Sequence, residues 1–276
     1  MTLPRWTTLS LAALAIVISL YALGAILVAS SDRSITAFQG QATSPGVVAI
    51  FGASGTAGDG ILKSVLADNT IDRVVVITRR STPRIKQGIA SGKVEMIQHL
   101  DYTDYADLLP QLSTVETVYW AIGISALGVD RETYGRIHVD FPMAFVRAWE
   151  SVAEPDDLVF QFISSSDISE DSTTMWVQEK IRAEQSLFAF AQGRRLRVIA
   201  HRPDYIGPTA EEAHLGQHIL YGFFRPVGAA VKATEIGKAM LELSARGAAI
   251  ANGYKVPTPD IILYSNAYDQ RQPGGG

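Results

Sequence analysis

The chain has 276 residues, with 24 Lys and Arg against 28 Asp and Glu, a net charge of −4, and no cysteine. That length buries a core of its own, which excludes a disordered or disulfide-stapled chain, and the lack of thiols excludes thiolate nucleophiles, zinc ribbons and thiolate-bound iron–sulfur centres. The acidic balance leaves no basic surface for a phosphate backbone, so no nucleic-acid partner is expected.

Mean hydropathy is +0.12 with only 19% charged residues, and the apolar excess lies at the N-terminus. Leu9 to Ala29 reads LSLAALAIVISLYALGAILVA, and no charge occurs from Trp6 to Ser31. A run of that length suits a hydrocarbon layer about 30 Å thick. It predicts one N-terminal transmembrane helix within residues 1–30, with a lipid bilayer as the partner of residues 7–30. A cleaved leader ending near Ala29 and a buried core helix are the alternatives. Arg5 on one side and Arg33 on the other leave the orientation open. Residues 31–45 are polar and punctuated by Gly and Pro, as a flexible tether is.

From residue 46 to 208, β-branched runs alternate with helical periodicity. Val47–Phe51, Arg73–Thr78, Val94–Ile97, Thr117–Ala121, Leu158–Ile163 and Arg197–His201 read as strands. Gly58–Asp68, Asp104–Leu112, Tyr134–Ser151 and Met175–Ala191 read as helices. This predicts an α/β fold, a doubly wound, mainly parallel sheet with helices on both faces. Residues 209–268 lose the alternation and are expected to form a small C-terminal lobe for substrate, and 269–276, ending in glycines, a frayed tail. Within the lobe, Leu215–Val227 reads as core, as a wall of a hydrophobic pocket, or as a face toward a bilayer.

The first strand runs into Gly52-Ala53-Ser54-Gly55-Thr56-Ala57-Gly58 and then a helix. Glycines three apart at a strand-to-helix turn allow a tight bend, close approach of backbone to a pyrophosphate, and close helix packing, the pattern of a dinucleotide-binding Rossmann fold. Helix N–H groups and the positive dipole end would hold the phosphates. A packing-only glycine turn is the plainer alternative. At the end of the second strand, where an NAD site places an acid, this chain has Thr78-Arg79-Arg80. Guanidinium groups there suit a 2′-phosphate, favouring NADP over NAD, with Arg80 free to stack on adenine. Asp101 is placed either to accept the adenine amine or to cap a turn. The five histidines show no spacing that converges on a metal.

Taken in order, GASGTAG, the TRR strand end, LDYTDY, WAIG, VDF, ISSS, WVQEK and RPDYIGP resemble the extended and atypical short-chain dehydrogenase/reductases. The resemblance runs from about Val47 to Pro208 and is strongest to the NADP-binding branch typified by the Tat-interacting-protein-like oxidoreductases. It implies that Ile122 and Gly123 line the cofactor and that Arg202-Pro203 begin the segment over the nicotinamide. The family's Ser, Tyr and Lys imply catalytic roles for Ser164 or Ser165 and for Lys180. The position four before Lys180, where the tyrosine belongs, holds Trp176. An indole donates a hydrogen bond but does not titrate in the working range, so it cannot act as general acid or base.

The expected function is therefore a membrane-anchored NADP(H)-binding oxidoreductase acting on a carbonyl or hydroxyl of a hydrophobic small molecule. Its proton donor would be atypical, with Tyr134, Tyr205, Asp167 or a water on Ser165 as candidates. The alternative is a non-catalytic NADP-binding sensor or assembly protein at the membrane, with a protein partner. Reduced NADP is plentiful in cytosol, which places the domain on the cytoplasmic face.

Overall fold

The computed structural model describes residues 5–38 and 40–272 and, within the first helix, the side chains of Ser10 and residues 13–29. Helix α1 (Arg5–Ala29) is followed by β1 (Val47–Phe51), α2 (Thr56–Ala67), β2 (Arg73–Thr78), α3 (Pro83–Ala90) and β3 (Val94–Gln98). A 3₁₀ turn at Ala106–Leu108 leads into the short α4 (Leu109–Leu112), then β4 (Thr117–Trp120) and α5 (Arg131–Gly135). One π turn at Arg136–Asp140 joins α5 to α6 (Phe141–Val152), followed by β5 (Leu158–Ile163), α7 (Met175–Ala191), β6 (Leu196–Arg202) and β7 (Tyr205–Gly207). The chain continues through α8 (Leu215–Phe224), β8 (Ala230–Lys232), α9 (Ala233–Ala245), β9 (Tyr254–Pro257) and α10 (Thr258–Arg271).

Seven strands form one sheet in the order β3-β2-β1-β4-β5-β6-β9, every neighbouring pair parallel. The period of two in β1 shows why the sheet is buried on both faces. Val48 and Ile50 enter a core with Ile61, Leu62 and Met240, while Ala49 and Phe51 enter the opposite core with Phe145 and Trp149. Because β2 lies on one side of β1 and β4 on the other, the chain reverses its winding there. A crevice opens at the carboxyl ends of those strands.

Several elements differ from the sequence expectation for local reasons. The long helix expected from Tyr134 is divided by the π turn, because Pro142 at the start of α6 lacks the N–H that would bond the carbonyl of His138. Helix α3, not foreseen, starts at Pro83 with the Thr82 side chain accepting from the Ile85 N–H. The segment expected as a small C-terminal lobe instead delivers β9 to the edge of the main sheet, where it pairs with β6. Helix α9 packs on α2 so closely that a Cβ on Gly60 would lie 2.3 Å from that of Ala233.

The expected membrane-spanning helix is not supported: among the described residues, no helix is long and apolar enough to cross a membrane. A helix does form over the segment, but its C-terminal half is engaged by the folded domain. Tyr21 stacks on Phe223 of α8 and donates its hydroxyl to that residue's carbonyl at 2.8 Å. Arg33 and Thr36, in the segment expected as a flexible tether, also touch the domain, through Arg33 to Asp260 at 2.8 Å and Arg246 to the Thr36 carbonyl at 2.7 Å. At the other end, α10 continues through Asp269, which pairs with Lys238, to Arg271, which pairs with Glu242. Of the expected frayed tail, residues 273–276 lie outside the described residues.

Candidate active site

A cavity of about 920 Å³ occupies the crevice at the ends of β1 to β4. Gly52, Ser54, Gly55, Arg79, Arg80 and Asp101 line it, as do Ile122 and Gly123. Gly52 has φ +76, and a Cβ there would lie 2.6 Å from the Ala121 backbone, so only glycine fits this bend. A Cβ on Gly58 would stand 2.0 Å from the Gly52 carbonyl oxygen, which presses α2 directly onto the turn. Gly55 is the N-cap of α2 and offers no side-chain acceptor. The amides of Thr56, Ala57 and Gly58 therefore begin the helix without intrahelical partners, at its positive end.

Cationic groups stand at the mouth. The Arg79 guanidinium makes no ion pair or hydrogen bond among the described residues, whereas Arg80 reaches the Ser54 carbonyl at 3.4 Å. Arg136, which spacing did not single out, lines the same cavity from the π turn. Asp101 sits at the edge with Oδ1 accepting from the Thr103 amide at 2.9 Å and hydroxyl at 2.5 Å. Those bonds hold its carboxyl below the usual range. One oxygen is thus spent on a turn, the capping role.

The residues expected to carry chemistry lie across β5 and α7. Lys180 is buried and donates to the Ile163 carbonyl at 3.3 Å. Burial pushes its ammonium down to about 8, opposed by the Glu184 carboxylate one turn later. Glu184, also buried, takes the Ser164 hydroxyl at 2.6 Å and the Arg202 Nε at 2.9 Å. Ser164 is therefore turned to Glu184, and Arg202 lines a separate cleft of about 110 Å³ with Glu184 and Lys255 rather than the large cavity. Ser165 is half-buried with its hydroxyl uncommitted among the described residues, and Pro203 accepts from the Ser166 amide at 3.2 Å. Trp176 is half-buried at the head of α7.

Among the candidate donors, Tyr134 is buried against His138, with ring centroids 4.2 Å apart, and burial beside Glu179 raises its phenol to about 12. Tyr205 packs on Phe224 and Asp167 is exposed. His138, whose spacing points to no metal, joins the two halves of the site. Its ring would lie 3.0 Å from a Cβ on Gly123, and its Nε2 is 3.3 Å from the Ile124 amide. Burial, with the Lys180 ammonium adding to it, pushes the imidazole down to about 3, so it stays neutral. The usable signal was Pro142 four residues on, which places the π turn.

No family model matches the chain. It is 26% identical over 172 residues to leucinostatins biosynthesis cluster protein T of Purpureocillium lilacinum, covering 61% of this chain and 60% of that protein. It is also 26% identical over 184 residues to the protein named fmp52, mitochondrial, of Emericella nidulans, covering 66% and 76%. Among solved structures, a short-chain dehydrogenase/reductase family oxidoreductase from Burkholderia thailandensis superposes with a TM-score of 0.62 at 20% identity, covering 80% of this chain and 94% of that one. The fold is that of the short-chain dehydrogenase/reductases. The 3-oxoacyl-[acyl-carrier protein] reductase of Brucella melitensis in complex with NAD gives 0.61 at 16% identity, over 80% and 98%. BdcA in complex with NADPH gives 0.60 at 15%, over 76% and 91%. These solved structures share the fold, and the Tat-interacting-protein-like branch is a finer assignment than they give.

Proposed function

We propose that this chain is an NADP(H)-dependent oxidoreductase of the short-chain dehydrogenase/reductase type, acting on a carbonyl or hydroxyl of a hydrophobic small molecule. The observation that carries the reading is the cavity built on Gly52 and the head of α2 with the unpaired Arg79 at its mouth. When bound, a nicotinamide dinucleotide supplies or accepts the hydride. In this reading the first turn of α2 takes the pyrophosphate, and Arg79 the 2′-phosphate. Ile122 and Gly123 floor the cofactor, and Ser165 rather than Ser164 orients the substrate oxygen. Trp176 excludes water and cannot give a proton, so Lys180, buried and held near neutrality, holds and moves it. We place the site on a cytoplasm-facing surface, where reduced NADP is plentiful; protection of the domain from added protease in intact cells opened only at the plasma membrane would reverse that.

Calorimetric titration of the purified chain tests the cofactor: NADPH is expected to bind more tightly than NADH, and uptake of neither overturns the reading. Turnover is tested with NADPH and a panel of apolar ketones and aldehydes, where wild type is expected to oxidise the nucleotide and Lys180→Met to lose it. A second reading, a nucleotide-binding sensor without turnover, draws on Glu184, which occupies both Ser164 and Arg202. Tight NADPH binding with no turnover on any substrate favours that reading.

A further inference from the structure

Of the 17 large apolar side chains exposed among the described residues, nine belong to α1 and four to α8. They form one surface, because α1 crosses the exposed face of α8. Tyr21 stacks on Phe223 with centroids 5.1 Å apart, and the Val28 side chain lies 3.3 Å from where a Cβ on Gly228 would stand. Helix α8 has two faces. Tyr221 and Phe224 turn inward, onto Gly207 and Tyr205 of β7, while Leu215, Ile219, Leu220 and Phe223 turn outward.

The pattern on α1 selects the occupant. Ile16, Val17, Ile18 and Ile26 point in directions roughly a quarter-turn apart around the helix axis, yet each is between 58% and 63% exposed. A protein groove or a second copy would cover one side of such a helix; the apolar layer of a bilayer surrounds it. Two polar side chains in this stretch are already satisfied within the chain, as a medium without water requires. Tyr21 donates to the Phe223 carbonyl and Ser30 to the Ile26 carbonyl, both at 2.8 Å. No charged residue occurs from Trp6 to Ser31 or from Leu215 to Phe224, and Arg225 beyond α8 is held by Glu235 at 2.7 Å.

We propose that α1 and the outward face of α8 together form a lipid-docking surface, with α1 entering the apolar layer and α8 lying at its boundary. The surface needs no anionic headgroup, because among the described residues it offers no free cation. It stands independently of the nucleotide reading.

The chain lacks cysteine, so a single Ile219→Cys in the full-length protein carries one polarity-sensitive fluorophore, with Lys86→Cys on exposed α3 as control. On addition of pure phosphatidylcholine vesicles, the label at 219 is expected to shift to the blue. It should lose most of its emission when the acyl chains carry a quencher, while the label at 86 does neither. Vesicles that bind the protein while leaving the 219 label in water overturn the role of α8. A blue shift that depends on protein concentration without lipid, and is indifferent to vesicles, assigns the face to a second copy and overturns the proposal. Failure to float with vesicles at all overturns it outright.

Discussion

Around the ends of β1 and β4 the chain leaves polar groups unused, whereas around β5 and α7 it uses them on one another. Arg79 lines an open cavity beside the head of α2, where Gly55 offers no side-chain cap and Gly52 and Gly58 carry no side chain. One strand over, Ser164 and Arg202 are both taken by Glu184, and Lys180 is buried behind them. A region that waits for a ligand keeps donors unsatisfied at the surface; a region that satisfies its own donors has a shape largely complete without one. The contrast implies that nucleotide binding and proton transfer are separable here, and mutations at the two ends should show it.

The largest effect is expected at Gly58→Val. With a Cβ position 2.0 Å from the Gly52 oxygen, α2 must move off the turn, a loss of about 3 kcal/mol or more. Chemical denaturation should show a fall in midpoint at unchanged slope, with NADPH uptake lost. A loss below about 1 kcal/mol would mean the approach is not tight. Next comes Glu184→Ala, which strands Arg202 and frees Ser164. Removing one partner of a buried pair costs about 3–5 kcal/mol, less here because Arg202 is partly exposed, so about 2–3 kcal/mol is expected. NADPH affinity should barely move, and if it falls in step with stability the two regions are not separable.

Lys180 gives a pH signature. Its folded value of about 8 lies below the ordinary 10.5, so between those values the unfolded chain binds more protons and stability rises with pH. Below pH 8 the cost of burying the ammonium is present in full. Unfolding free energy should therefore climb by about 2 kcal/mol from pH 7 to 10 relative to Lys180→Met, whose own curve supplies the background. Parallel curves would place the lysine in contact with water. In Glu184→Ala the climb should begin at lower pH, because the carboxylate is what holds the lysine up.

Arg79→Asp should act on the other region alone. Loss of a guanidinium from a phosphate and gain of a repelling charge is expected to weaken NADPH by about 10- to 100-fold, with NADH little changed and stability within about 0.5 kcal/mol. Equal loss for both nucleotides would remove Arg79 from the 2′-phosphate.

The two regions also differ in how much of them the sequence carries. The cavity was legible because its demands are local: a glycine at φ +76, a glycine under a helix, a strand end six residues from its start. The half around β5 and α7 depends on partners far apart in sequence, Ser164 with Glu184 and β6 with β9, and no spacing rule brings them together. Glu184 was within reach, one turn past Lys180 on the same helix face, but only Arg202 beside it shows which way it turns. The apolar run at the N-terminus announced a helix, but its docking on α8 through Tyr21 and Phe223 was invisible in the sequence, because Tyr21 lies 202 residues from its partner.

The sharpest test of the contrast is Trp176→Tyr. Trp176 is half-buried at the start of α7, so a smaller ring there should cost less than about 1.5 kcal/mol. The phenol would then stand one turn before Lys180, on the same helix face. If Lys180 already moves the proton, adding a second titrating group should change turnover by less than about tenfold and shift only its pH profile. A missing general acid costs on the order of 10²–10⁴ in rate. A gain of that size would therefore show that the wild-type pocket lacks a donor, and that the self-satisfied cluster around Glu184 belongs to a protein that binds its nucleotide without using it.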